Sequence, residues 1–137
     1  MVSAQTAWGP GAAPAGVRYG VAMSFEPDTV TQAHFDYLRA RTTQEDAFLR
    51  ELREAAVREG IPAISICPEQ GAFLQILLRL RGARDVVEVG TLAGYSAVWM
   101  ARALPPGGRL HTIELSPKHA DFAERWIAAS DVAASLE

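Results

Sequence analysis

The sequence predicts an α/β fold, the N-terminal part of a Rossmann-like, doubly wound parallel sheet that is incomplete and preceded by helices. A short apolar run rich in valine, "DVVEVG" at 85–90, has the composition of a strand covered on both faces in a parallel sheet, and "RLHTIEL" at 109–115 reads as a second strand. Each run is followed by a helical pattern, and the turn after the first holds Gly90 and Gly94. Strand, helix, strand, helix is the order of a βαβ unit, whose crossover is right-handed by rule.

Taken in order, residues 1–22 are rich in Ala, Gly and Pro and show neither the strand nor the helix period. They read either as a disordered or spurious extension ahead of a natural start at Met23, or as a genuine flexible arm. Residues 23–137 are assigned to the domain. From Thr29 a helix is expected, with Val30, Phe35 and Leu38 near one face. Thr43 followed by Asp46 resembles a capping arrangement, and Phe48, Leu49, Leu52, Ala55 and Ala56 then recur at helical spacing until Gly60 and Pro62. "IPAISIC" reads as extended. Pro68 suits a first helical position, and Phe73, Leu74, Leu77, Leu78 and Leu80 form an apolar face wide enough to be largely buried before Gly82 stops the helix. After the first strand a helix is expected over 94–104, closed by "PPGG" at 105–108. Ser116 and Pro117 open the last helix, which weakens at Ser130 and Asp131.

At 137 residues the chain is long enough for one domain and short for two. An apolar fraction of 49% with 21% charged residues describes a soluble globular protein, and a net charge of −3 offers no basic stripe for nucleic acid. No apolar run approaches the ~20 residues of a membrane helix, and no secretory signal opens the chain, so the expectation is a cytoplasmic protein without a membrane partner. Cys67 stands alone and reads as a small buried hydrophobe. His34, His111 and His119 lack the spacing of a zinc site and read as surface or packing residues.

The chemistry concentrates at the first strand-to-helix turn. Ligands of open parallel sheets bind at the carboxyl ends of the strands, and Gly90 and Gly94 supply backbone freedom and close approach there; a plain tight turn is the competing reading. The spacing is E-x-G-x-x-x-G, with Leu92 where a dinucleotide fingerprint places its second glycine. Glu88 would repel a pyrophosphate and attract an ammonium or sulfonium group. Glu114 closes the second strand, where its two oxygens suit a pair of ribose hydroxyls. A nucleoside joined to an amino-acid-like cation fits both acids, which points to S-adenosylmethionine rather than a nicotinamide cofactor.

"VEVGTLAGYSAVWMARAL" followed by "LHTIELSP" resembles the class I S-adenosylmethionine-dependent O-methyltransferases of the catechol and caffeoyl-CoA type, O-methyltransferase family 3. The upstream "ISICPEQGAFLQILLRLRGARDVVEVG" is similar too, so the resemblance covers about residues 29–137. It implies the class I methyltransferase fold, with Glu88 and Gly90 contacting the methionine portion of the cofactor, Tyr95 and Ser96 helping to hold its amino and carboxylate groups, and Thr91 and Gly94 also among the cofactor-binding residues. Glu114 would hold the ribose, and Leu115 would lie beside the adenine. Ile64 and Ile66 match arm positions near the methyl-donor end, with simple core packing an equal alternative for their side chains.

Intact relatives of that type carry, after a third strand, acidic ligands for a divalent, magnesium-type metal, and act on small phenolic or CoA-ester substrates, commonly as homodimers. The sequence has no counterpart of that half, its last residues matching the start of the third strand, so no catalytic residue and no metal ligand is assigned. The expectation is a truncated O-methyltransferase holding the cofactor half of the site, with exposed sheet edges that favour self-association. The alternative is a non-catalytic cofactor-binding or dimerising fragment.

Overall fold

The structure, a computed structural model, describes residues 29–137. The expectations for residues 1–22 and for Met23 lie outside the described residues. Thr31–Glu137 forms one compact unit. Its elements are α1 (Gln32–Arg39), α2 (Ala47–Arg58), α3 (Pro68–Arg81), β1 (Asp85–Val89), α4 (Tyr95–Ala101), β2 (Arg109–Ile113), α5 (Pro117–Ala128) and a short 3₁₀ turn at Ala133–Ser135.

β1 and β2 pair in parallel, Asp85 opposite Arg109 through Val89 opposite Ile113. Beyond the 3₁₀ turn, Leu136 makes a parallel bridge with Leu110, and the Thr112 N–H donates to the Glu137 carbonyl at 2.8 Å. The chain end thus starts a third ladder along the outer side of β2, while among the described residues the far edge of β1 has no strand beside it.

Alternation along the strands sorts side chains onto two faces. Val86 and Leu110 face a cluster with Leu74, Leu78, Ala97, Met100 and Leu104, so α3 and α4 cover that side. Val87, Val89 and Ile113 point the other way and are exposed, Val89 by 83%. The expectation that "DVVEVG" is covered on both faces is therefore corrected: in this chain one face is packed and the other is open.

The larger core lies among α2, α4 and α5, where Leu49, Leu52, Val98, Trp99 and Phe122 are buried. α2 enters it on the spacing the sequence shows, but its cap is Asp46, not Thr43. The helix begins at Ala47, and the Asp46 carboxylate accepts the Leu49 N–H at 2.9 Å. Arg102, just after α4, donates to Asp46 and to Asp131, each at 2.9 Å, and so ties the start of α2 to the end of α5. α1 starts at Gln32, leaving Val30 ahead of it, and buries none of its residues.

α3 departs furthest from expectation. Its buried residues are Glu69, Gly71, Ala72 and Gln75, with Trp99 lying against Gly71 and its carbonyl accepting from Gln75 Nε2 at 2.8 Å. Phe73, Ile76, Leu77 and Leu80 are exposed instead. The helix has apolar residues on two faces and a partner for one. Cys67 is half-buried at the start of this helix and is not a core residue; its N–H donates to Gln70 Oε1 at 2.9 Å.

Candidate functional site

The turn between β1 and α4 is built from backbone that few side chains tolerate. Gly90, Leu92 and Gly94 have φ of 95°, 52° and 82°. A side chain at Gly90 would meet no atom within 4 Å, so the space over that residue is open to a ligand. At Gly94 a Cβ would already touch Ile127, which shows how closely α5 packs on the turn. Leu92 is the surprise, because a left-handed conformation costs a branched L-residue about 1–2 kcal/mol. Its N–H donates to Glu114 Oε2 at 2.8 Å, and that bond holds the strained residue.

Glu114 follows β2, and its Oε1 accepts the Ser116 N–H at 2.9 Å. These two backbone bonds, from Ser116 and Leu92, hold its carboxyl below the usual carboxylate range. Each oxygen has accepted one bond and keeps a second lone pair. His119 Nδ1 lies 3.9 Å from Oε1.

Glu88 sits behind the turn. Its two oxygens accept Ser96 Oγ at 2.5 Å and Thr112 Oγ1 at 2.7 Å, and the hydroxyls of Thr91 and Thr112 are 2.6 Å apart. Burial raises the Glu88 pKa, overcoming the two hydroxyl bonds that favour the ionised form. Neither Glu88 nor Glu114 is paired with an arginine among the described residues.

A cleft of about 340 Å³ opens in front of this turn, lined by Ile64, Ser65, Ile66, Gly90, Thr91, Leu92, Tyr95, Ser96, Glu114 and His119. The extended 62–67 arm forms one wall and the turn the other. Seven of the residues singled out from the sequence thus meet in one place: Ile64, Ile66, Gly90, Thr91, Tyr95, Ser96 and Glu114. Glu88 does not line the cleft and reaches it through Ser96 and, by way of Thr112, through Thr91. Gly94 lies beneath it against α5, and Leu115, 96% exposed, does not line it.

Tyr95 points its hydroxyl away from the first strand, donating to Glu45 Oε1 at 2.8 Å. Burial pushes the phenol pKa up, and the Glu45 carboxylate adds to the shift. Glu45 is gripped by Arg53 through Nε and Nη2, both at 3.1 Å, and these bonds with that of Tyr95 lower its pKa despite burial. The wall of the cleft is therefore tied to α2. Ser65, Leu92, Thr112 and His119 went unnoticed in the sequence as site residues. None of these carried a signal in residue type: Thr112 follows the equally polar His111 in its strand.

Among the described residues no three His, Cys, Asp or Glu side chains come together as a metal site. The residues present do not fit a divalent metal, and no step is derived through one. No described helix is long and apolar enough to cross a membrane.

Known proteins place this geometry. The chain is 47% identical over 94 residues to a catechol O-methyltransferase of Niastella koreensis and 36% identical over 101 residues to one of Mycobacterium tuberculosis, covering 69% and 74% of this chain. It spans 42% and 46% of the length of those two relatives, somewhat under half. Among solved structures, the O-methyltransferase of Bacillus cereus in complex with SAH superposes with a TM-score of 0.72 at 39% identity, covering 77% of this chain and 48% of that one. The Streptomyces achromogenes O-methyltransferase involved in tomaymycin synthesis, in complex with SAM, gives 0.69 at 38% identity, with coverage of 77% and 47%. The shared architecture is the class I methyltransferase fold, an α/β Rossmann-like sheet. The family profile described as O-methyltransferase matches residues 39–137, and the chain belongs to that family.

Proposed function

We propose that this chain forms the cofactor-binding half of an S-adenosylmethionine-dependent O-methyltransferase whose whole form methylates a catecholic or phenolic hydroxyl, or a CoA ester bearing one. One observation carries the reading. The Glu114 carboxylate and the open space over Gly90 face a single cleft, with an acceptor for ribose hydroxyls at one side and bare backbone at the other. When bound, the cofactor supplies a sulfonium methyl group to an acceptor oxygen. In this chain Glu114 would hold the ribose, Gly90 and Thr91 would border the methionine portion, and Ile64 and Ile66 would screen the methyl end from water. Glu88 would act from behind, setting Ser96. Leu115, exposed between the half-buried Glu114 and Ser116, would lie beside the adenine. The divalent metal of intact relatives would be held by residues other than those described. Cytoplasmic location and a homodimeric state complete the proposal.

Titration calorimetry of the full chain with S-adenosylhomocysteine tests it. Binding is expected, with Glu114→Gln weakening it about 10- to 100-fold through loss of charged hydrogen bonds. Binding of NAD in place of S-adenosylhomocysteine would overturn the reading. The chain alone is expected to transfer no methyl group to catechol with magnesium, which separates a cofactor-binding half from a complete catalyst; measurable turnover would refute that part.

A further inference from the structure

His119 lines the cleft beside Glu114, and neither of its ring nitrogens hydrogen-bonds to a described residue. Its side chain is 22% exposed, so the imidazole is largely withdrawn from water without having gained a protein partner. A polar ring in that position is satisfied by what enters the cleft. Nδ1 lies 3.9 Å from Glu114 Oε1. That is too far for a hydrogen bond, yet a single oxygen about 2.8 Å from each atom spans it. We propose that His119 is a further cofactor-binding residue, its Nδ1–H donating to the same ribose hydroxyl that donates to Glu114 Oε1. This rests on the cofactor reading above and adds the group that holds the sugar from its other side.

Backbone bonds fix the spacing of acid and imidazole. Ser116 stands between them: its N–H donates to Glu114 Oε1 at 2.9 Å, and its carbonyl accepts the His119 N–H at 3.0 Å. Lys118 Nζ, one residue before His119, donates to the Gly60 carbonyl at 3.2 Å and ties this turn to the chain just past α2. The two groups therefore keep their separation before a ligand arrives, which lowers the cost of ordering them on binding. Their chemistry is complementary as well. A carboxylate only accepts, so Glu114 cannot engage the lone pairs of a hydroxyl. The imidazole supplies that donor, and the carboxylate beside it favours the hydrogen on Nδ1. Glu114 Oε2, which accepts the Leu92 N–H, keeps a lone pair for the neighbouring hydroxyl. The arrangement suits a vicinal diol, with one hydroxyl bridged between two residues and the other held by the acid alone.

Titration calorimetry of the full chain with S-adenosylhomocysteine and with its 2′-deoxy and 3′-deoxy counterparts tests this. His119→Leu is expected to weaken S-adenosylhomocysteine about 5- to 10-fold, as loss of one hydrogen bond does. The same change should leave unaltered the affinity for whichever deoxy compound lacks the bridged hydroxyl, a result that a merely structural role would not give. His119→Asn, whose side-chain amide nitrogen takes the place of Nδ1, should return S-adenosylhomocysteine affinity to within about 3-fold of wild type. Circular dichroism checks that His119→Leu folds; where it does not, His119→Ala is read in its place. Equal weakening of all three ligands, or no effect on S-adenosylhomocysteine, overturns the role of His119 while leaving the cofactor reading standing. A wild-type chain that binds none of the three overturns both.

Discussion

Replacing Gly71 by alanine tests how tightly α3 is seated on α4. A Cβ at Gly71 would lie 2.6 Å from Cδ2 of Trp99 and 2.7 Å from Cγ, whereas ordinary contact begins near 3.4 Å. The methyl group therefore intrudes by about 0.8 Å on an indole that is 1% exposed and has no free side to retreat into. The helix itself would gain about 0.8–1 kcal/mol from losing a glycine. Overpacking a closed core typically costs about 1–3 kcal/mol, and a backbone pressed on a buried ring belongs at the upper end. The net expectation is a loss of about 1–2 kcal/mol, measured by urea unfolding of wild type and variant under identical conditions. Because α4 carries the turn that borders the cleft, S-adenosylhomocysteine affinity should fall with it. A Gly71→Ala protein as stable as wild type, or more so, would refute the close seating of Trp99 and the reasoning built on it.

Three further outcomes are expected. Glu88 has a pKa raised by burial, so its contribution to stability is complete below the ordinary carboxylate value of 4.5 and is lost as pH rises through the folded-state value. Glu88→Gln removes that loss, and the difference in unfolding free energy between variant and wild type should grow with pH across this window; a difference independent of pH would contradict the buried, raised carboxyl. Tyr95→Phe should cost about 1–2 kcal/mol by removing one of the two hydrogen bonds to Glu45 Oε1, yet leave S-adenosylhomocysteine affinity within about 3-fold, because the hydroxyl is engaged with Glu45, just ahead of α2; a tenfold loss in calorimetry would give the hydroxyl a part in the cleft. Leu49→Ala, at a side chain with no exposure, should cost about 2–5 kcal/mol in thermal or urea unfolding, and a cost under about 1 kcal/mol would mean that α2 is not the core element described.

The first strand was legible because a run of valine bounded by turn residues has few alternative readings, and Gly90 and Glu114, which the structure brings to one cleft, stood out because acids and glycines at strand ends depart from an apolar pattern. What stayed hidden had no signature in residue type. The leucine content of α3 announces an apolar surface but not what lies against it, so Phe73 and Leu80 read as buried. Thr43 and Asp46 both satisfy the pattern of a helix start, and only the bond to Leu49 decides between them. Nothing in a leucine foretells the positive φ of Leu92, which the neighbouring chain imposes. The bond from the Tyr95 hydroxyl to Glu45 was hidden because the two residues are 50 positions apart along the chain.

The bond between Leu92 and Glu114 makes the loop and its acid a single thermodynamic unit. Removing the carboxylate would do more than delete an acceptor for a nucleoside, since Leu92 would be released to relax toward ordinary dihedrals and the approach over Gly90 would change shape. A ligand that engages the same acid would in turn brace the strained residue, so occupancy should slow amide exchange at Leu92 even though the ligand never touches that hydrogen.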